Sequence, residues 1–188
     1  MLDVDIRLAL AATLGASPHA RVVHEMALVH LGARVDMAIL LPGSMVGIEI
    51  KSNADTLRRL PTQARAYGAV FDRMVLVSGT RHFREAAALV PEWWGLVKVV
   101  DVDDAVSLVV ARPVSANTHQ NTEALASLLW AAEARAIATR HCVHRAPYMS
   151  ACILRRHLSK MPVSVLAPEV VGALRARPAT WLSPATTN

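Results

Sequence analysis

The sequence predicts an α/β fold: a helix, three strands, a helix and a strand, then further elements and an α-helical C-terminal region. Three observations predict it. Three β-like runs follow one another before residue 52. An unbroken apolar run, Met74 to Val77, comes after a helix-like stretch. Beyond Pro113 the period-2 patterning gives way to helical periodicity.

Asp3 to Leu14 reads as a helix, with Ile6, Leu8, Leu10 and Leu14 among alanines, Asp3 as N-cap and Gly15 past its end. Arg21 to Val29 is the weakest of the strand-like runs. Arg34 to Leu41 sets Val35, Met37 and Ile39 against Asp36, Ala38 and Leu40. Met45 to Lys51 sets Val46, Ile48 and Ile50 against Gly47, Glu49 and Lys51. Pro42-Gly43 between them signals a hairpin. Asp55 to Val70 reads as a helix capped by Asp55, or as a turn leading into a helix with Pro61 at its first position. Arg73 to Ser78 is the doubly buried strand, and Arg81 to Val90 a helix that Pro91 stops. Leu96 to Val100 and Val106 to Ala111 read as strands turned at Asp101, Asp103 and Asp104. After a polar linker over 115–121, Asn121 or Thr122 caps a long helix from Glu123 to about Ala138, and Ser150 to Lys160 and Pro168 to Ala176 are further helices. Two regions result: a core over 1–112 and a basic helical region over 113–188.

The chain has 188 residues, 53 % hydrophobic, so it can bury a real core. Cys142 and Cys152 lack Cys-x-x-Cys spacing, which excludes a disulfide framework and fits a reducing compartment. They read as core residues. His141, Cys142, His144, Cys152 and His157 form no zinc signature. The start, Met1 to Arg7, lacks the basic and apolar segments of a signal peptide, and no apolar run approaches the roughly 18 residues of a membrane helix. A soluble, cytoplasmic protein without membrane contact is expected. Residues 1–112 hold twelve Lys/Arg against twelve Asp/Glu, whereas 113–188 hold eight against three, so the C-terminal region carries the whole net charge of +5. A basic flank on a neutral core suits a polyanion.

A symmetric hairpin centred on Pro42-Gly43 sets Asp36 directly across from Glu49. Pro-Gly is not the favoured two-residue hairpin turn, but a loop lengthened equally on both sides leaves this register unchanged. Directly opposed Cβ atoms lie roughly 4.5–5.5 Å apart, so the two carboxylates repel unless a divalent cation joins them. Lys51 leaves the strand on the same face as Glu49, and the main-chain oxygen of Ile50 is a further ligand. Hard oxygens with room for water suit Mg²⁺ or Mn²⁺. A metal there activates water against a phosphodiester, with Lys51 orienting the water or neutralising developing charge.

At Asp36 and Glu49-Ile50-Lys51 the chain resembles the PD-(D/E)XK nuclease superfamily, whose restriction-endonuclease-like core has this order of elements around a central mixed sheet. Val35 stands where the family has Pro. Gln63-x-x-x-Tyr67 resembles the Gln-x-x-x-Tyr motif of the exonuclease and RecB-like branches. More narrowly, Gly47 to Ser52, Asp55-Thr56-Leu57-x-Arg59-Leu60-x-x-Gln63-x-x-x-Tyr67, Leu128-Leu129-Trp130-x-x-Glu133 and Arg177-Pro178-x-x-Trp181 resemble a family of small bacterial and phage-associated proteins.

The resemblance implies catalytic roles for Asp36, Glu49, Lys51, Gln63 and Tyr67. It also implies that Glu25, the extra acidic residue, holds metal through water. Arg58, Arg59 and Arg65 are the expected phosphate contacts. The expected function is metal-dependent hydrolysis of DNA, with a homodimer left open. The rival expectation is a non-catalytic nucleic-acid-binding or protein-interaction module retaining the nuclease fold. Trp93, Trp94, Trp130 and Trp181 are expected to be packing anchors.

Overall fold

In the computed structural model, residues 19–102, 105–178 and 181 are described; the helix expected over Asp3–Leu14 and the turn at Asp103 and Asp104 lie outside the described residues. The strands are β1 (Arg21–Leu28), β2 (Ala33–Leu41), β3 (Ser44–Lys51), β4 (Arg73–Gly79), β5 (Gly95–Val102) and β6 (Ala105–Arg112). The helices are α1 (Leu60–Gly68), α2 (Phe83–Leu89), α3 (Thr122–Ser127), α4 (Ala131–Arg140), α5 (Ala151–Leu158) and α6 (Val163–Ala176). The protein is therefore α/β, with C-terminal helices. The six strands among the described residues form one mixed sheet in sequence order, with β3–β4 and β4–β5 parallel and the other pairs antiparallel.

The β2–β3 hairpin is tighter than expected. Leu41 pairs with Ser44, so Pro42 and Gly43 make the whole loop. Pro42 cannot reach positive φ, and Gly43 supplies it at φ +77, as the second central residue of a type II turn requires. The register runs from Leu41/Ser44 to Met37/Ile48, the register of the symmetric hairpin. Gly47 must lack a side chain, because a Cβ there would stand 2.3 Å from Met74 Sδ and 3.1 Å from Phe71 Cγ.

Alternation sorts the strands onto two apolar layers. Met37, Ile39, Ile48, Ile50, Val77 and Val99 form one cluster. On the other face, Leu40, Met45, Leu76 and Leu96 join a larger core with Leu60 and Tyr67 of α1, Leu125 of α3, Ile137 of α4, Leu158 of α5 and Leu166 of α6. That core runs through both the N-terminal and the C-terminal region, and α6 packs directly on β2 and β3. Among the described residues no helix is long and apolar enough to cross a membrane.

The C-terminal helices differ from expectation in two places. The single helix expected from Glu123 to Ala138 is broken at Leu128–Trp130, where Trp130 is extended at ψ 162. The carbonyl of Leu128 accepts from Arg177 and that of Leu129 from Arg155, so side chains take the bonds that the next helical turn would have made. Glu133 then accepts the N–H of Trp130, which starts α4. Asn121, not Thr122, caps α3, accepting from the N–H groups of Glu123 and Ala124. The last helix starts at Val163, with Pro168 inside it. Cys142 and Cys152 are free and exposed, not core residues: both stand on outward positions of the helical region.

Trp94 is fully buried, as a packing anchor should be. Trp130 and Trp181 instead enclose the Arg177 guanidinium, whose carbon lies 4.1 and 4.5 Å from their ring centroids. Arg177 also donates two bonds of 2.7 Å to Glu133, and its carbonyl accepts from Arg21. The tail motif is thus a clasp between α4, the end of α6 and β1. Truncating one partner of a buried, bonded charge pair costs about 3–5 kcal/mol. Urea unfolding of Arg177→Ala is expected to show a loss of that order, with Arg177→Lys recovering only part because an ammonium lacks the planar fork. A loss below roughly 1 kcal/mol, the range of an exposed pair, would contradict the clasp.

Candidate active site

The site lies where β2 and β3 part. Their pairing ends at Met37 and Ile48, and one residue further on Asp36 Oδ2 accepts the Ile50 N–H at 2.7 Å. A carboxylate has taken the place of a strand carbonyl. In an extended strand the N–H and C=O of one residue point to the same edge. The main-chain oxygen of Ile50 therefore faces the side on which Asp36 stands.

Glu49 is the centre of the site and is 1 % exposed. Its Oε1 accepts from Lys51 Nζ at 2.6 Å and from Gln63 Nε2 at 2.6 Å, and its Oε2 lies 2.8 Å from the Tyr67 hydroxyl. Lys51 stands two residues along β3 and so on the same face. Gln63 and Tyr67 stand four apart on α1, hence on one helix face, and Gln63 Nε2 also donates to the Tyr67 oxygen at 3.2 Å. The buried acid is met by one ammonium from its own strand and two polar groups from the helix above it.

The Tyr67 hydroxyl has one proton and two close acceptors, the Arg34 carbonyl at 2.6 Å and Glu49. Burial, then the negative charge of Glu49 and its hydrogen bond, then the charge of Asp36, push its ionisation far above the usual phenol range. Both carboxylates thus act on the same hydroxyl, and Tyr67 stays protonated. Gln63 Oε1 is buried with no hydrogen-bond partner.

In front of these groups opens a cavity of about 1040 Å³. Asp36, Glu49, Ile50, Lys51 and Gln63 form part of its wall, with Arg34, Arg58 and Arg59 around them. The structure thus brings together most of the residues singled out in the sequence. Glu25 is not in that wall. It ion-pairs with Arg34 at 2.8 Å and holds a left-handed backbone, φ 52, between the His24/Met37 and Met26/Val35 pairs, at the position facing Asp36. Such a backbone costs a non-glycine residue on the order of 1–3 kcal/mol. Arg65 also departs from its expected place: its guanidinium reaches back to the Pro61 carbonyl, and it lines a different groove, beside Trp93 and His119. Asp55 does not cap α1. Its carboxylate accepts from the N–H and hydroxyl of Ser52, closing the turn that follows Lys51.

Sequence reasoning passed over Arg34, although it stands two residues before Asp36 and so shares its face of β2. Among the described residues no three His, Cys, Asp or Glu side chains form a ready metal cage. Asp36, Glu49 and Ile50 all line the one cavity, so two carboxylates and a main-chain oxygen are hard donors available in its wall. Two further features suit a hydrated hard cation: a buried amide oxygen lacks a partner, and two acceptors share one tyrosine proton.

Residues 6–178 match the family model described as bacteriophage P4 protein cII. Over 99 residues the chain is 28 % identical to protein cII of enterobacteria phage P4, an alignment covering 51 % of this chain and 37 % of that protein. No solved structure is matched.

The sequence has two tyrosines, and Tyr148 is 86 % exposed. Alkaline titration followed by phenolate absorbance is expected to leave the Tyr67 phenol protonated beyond the usual phenol pKa of about 10 and to ionise it only on unfolding. Below that pH both folded and unfolded chains keep the Tyr67 proton, and its contribution to stability is intact. As the pH rises further the unfolded chain loses the proton first, so stability falls. Ionisation of Tyr67 within the usual phenol range while the protein is still folded would contradict the site.

Proposed function

The chain belongs to the family of bacteriophage P4 protein cII, and we propose that it is a metal-dependent nuclease of the PD-(D/E)XK type, with a restriction-endonuclease-like core, that hydrolyses phosphodiester bonds of DNA in the cytoplasm. One observation carries the reading: Asp36, Glu49 and Lys51 meet in a cavity edged by Arg34, Arg58 and Arg59. A site for a cation and an attacking water is thus ringed by groups that bind phosphate.

Asp36, Glu49 and the Ile50 carbonyl would hold Mg²⁺ or Mn²⁺. When bound, the ion would supply Lewis acidity and lower the pKa of a coordinated water below that of bulk water. The remaining roles belong to the chain. Arg58 and Arg59, exposed at the start of α1, bind the phosphates on either side of the scissile bond and fix the strand without reading its sequence. Lys51, 6 % exposed and tied to Glu49, presents its ammonium where charge develops on the phosphate oxygens. Gln63 and Tyr67 hold the Glu49 carboxylate in one rotamer, so the acid need not reorganise as charge moves.

Cleavage of plasmid and linear DNA in Mg²⁺ or Mn²⁺ tests the reading. Glu49→Gln and Lys51→Ala are each expected to lower kcat by about a hundredfold or more. Arg58→Ala with Arg59→Ala should act mainly on KM, because those contacts are made in the ground state as well. Wild-type activity in Lys51→Ala would overturn the mechanism, and DNA binding without cleavage under either metal would favour a non-catalytic module.

A further inference from the structure

Between Glu133 and Glu169 the sequence contains no acidic residue, but it contains six Lys or Arg. The fold divides these six. Arg155 donates twice to the Leu129 carbonyl and Arg135 to that of Met149, so both are consumed in holding the helices together. Arg140, with His141, is held by Glu169. Arg145, Arg156 and Lys160 remain exposed, and among the described residues no acidic side chain pairs with them.

The backbone displays these groups rather than folding them in. Cys142 and Arg145 both take left-handed φ, 54 and 59, which turns the chain sharply between α4 and the short helical turn Ala146–Tyr148. Tyr148 N–H donates to the Arg145 carbonyl, so the arginine and the tyrosine close the same turn. The Tyr148 ring is 86 % exposed and so contributes little packing. On α5 and just beyond it, Cys152, Ile153, Arg156, His157 and Lys160 occupy one exposed arc, opposite the buried Leu154 and Leu158. Ile153, 45 % exposed, lies within that arc.

We propose that this turn and helix face form a second binding site, separate from the catalytic cavity, for single-stranded nucleic acid. Arg145, Arg156 and Lys160 hold phosphates along the strand, and Tyr148 stacks on an unpaired base. The charge is of one sign, and among the described residues no acidic side chain pairs with it, which selects a polyanion. The exposed Tyr148 side chain, in the turn that Arg145 opens, selects a polyanion that also presents π-faces, which duplex DNA keeps stacked inside. None of the residues of this site belongs to the cavity wall around Glu49.

The test is fluorescence anisotropy of the full chain in EDTA, where no cleavage occurs, with a labelled oligothymidylate, a duplex of equal length and phosphatidylserine vesicles. Arg145→Ala/Arg156→Ala/Lys160→Ala is expected to weaken oligothymidylate binding about tenfold and to lower the salt slope by about 2, since each phosphate contact contributes roughly 0.7 on single strands. Tyr148→Ala is expected to weaken binding of the single strand about fivefold or more and to leave the duplex unchanged. All four side chains are exposed, and circular dichroism of the variants verifies their folding. Wild-type affinity and salt slope in the triple variant would overturn the proposal. So would an equal loss on duplex in Tyr148→Ala, or losses confined to the vesicles. Because no cleavage is read, loss of the proposed nuclease activity and loss of this site are separable results.

Discussion

The burial of the Glu49 carboxylate is the constraint from which the rest of the site follows. A lone ionised acid in an apolar interior costs several kcal/mol or more, and Glu49 is 1 % exposed. It is tolerable because Lys51, Gln63 and Tyr67 surround it. Two of those three stand on α1, so the acid fastens that helix to β3. The same bonds fix where Arg58 and Arg59, at the start of α1, stand relative to the sheet.

Asp36 contributes differently. By accepting the Ile50 N–H it ends the β2–β3 ladder and leaves a strand oxygen facing the gap. A parted pair of strands is thus what distinguishes this place from the rest of the sheet. Among the C-terminal helices Arg177 plays a comparable part, enclosed by two indoles and bonded to Glu133. One buried ion pair sets the cavity and the other sets the C-terminal helices that pack behind β2 and β3.

Much of this was legible in the residues. The hairpin register follows from the position of Pro42-Gly43 alone, because a two-residue loop pairs the positions symmetric about it. The Glu49–Gln63–Tyr67 set was legible from spacing, two residues on a strand and four on a helix. What was not legible depends on distant partners. The break at Leu128–Trp130 contains no glycine or proline; it exists because Arg155 and Arg177, far along the chain, take carbonyls there. Asp55 looked like a helix cap, yet a five-residue turn precedes α1 and Ser52 claims its carboxylate. Glu25 and Arg65 lay close to the site in sequence, but one is bound to Arg34 and the other faces away around the helix. Exposure of Cys142 and Cys152 likewise reflects which helix faces the core left over.

The central claim is that two carboxylates and a strand carbonyl form a cation site. Mn²⁺ titration followed by electron paramagnetic resonance reads that occupancy directly, without substrate or turnover. The account predicts an ion bound by the wild-type chain and lost in both Asp36→Asn and Glu49→Gln. Retention of that ion in both variants, or no binding by the wild-type chain at millimolar Mn²⁺, would contradict it.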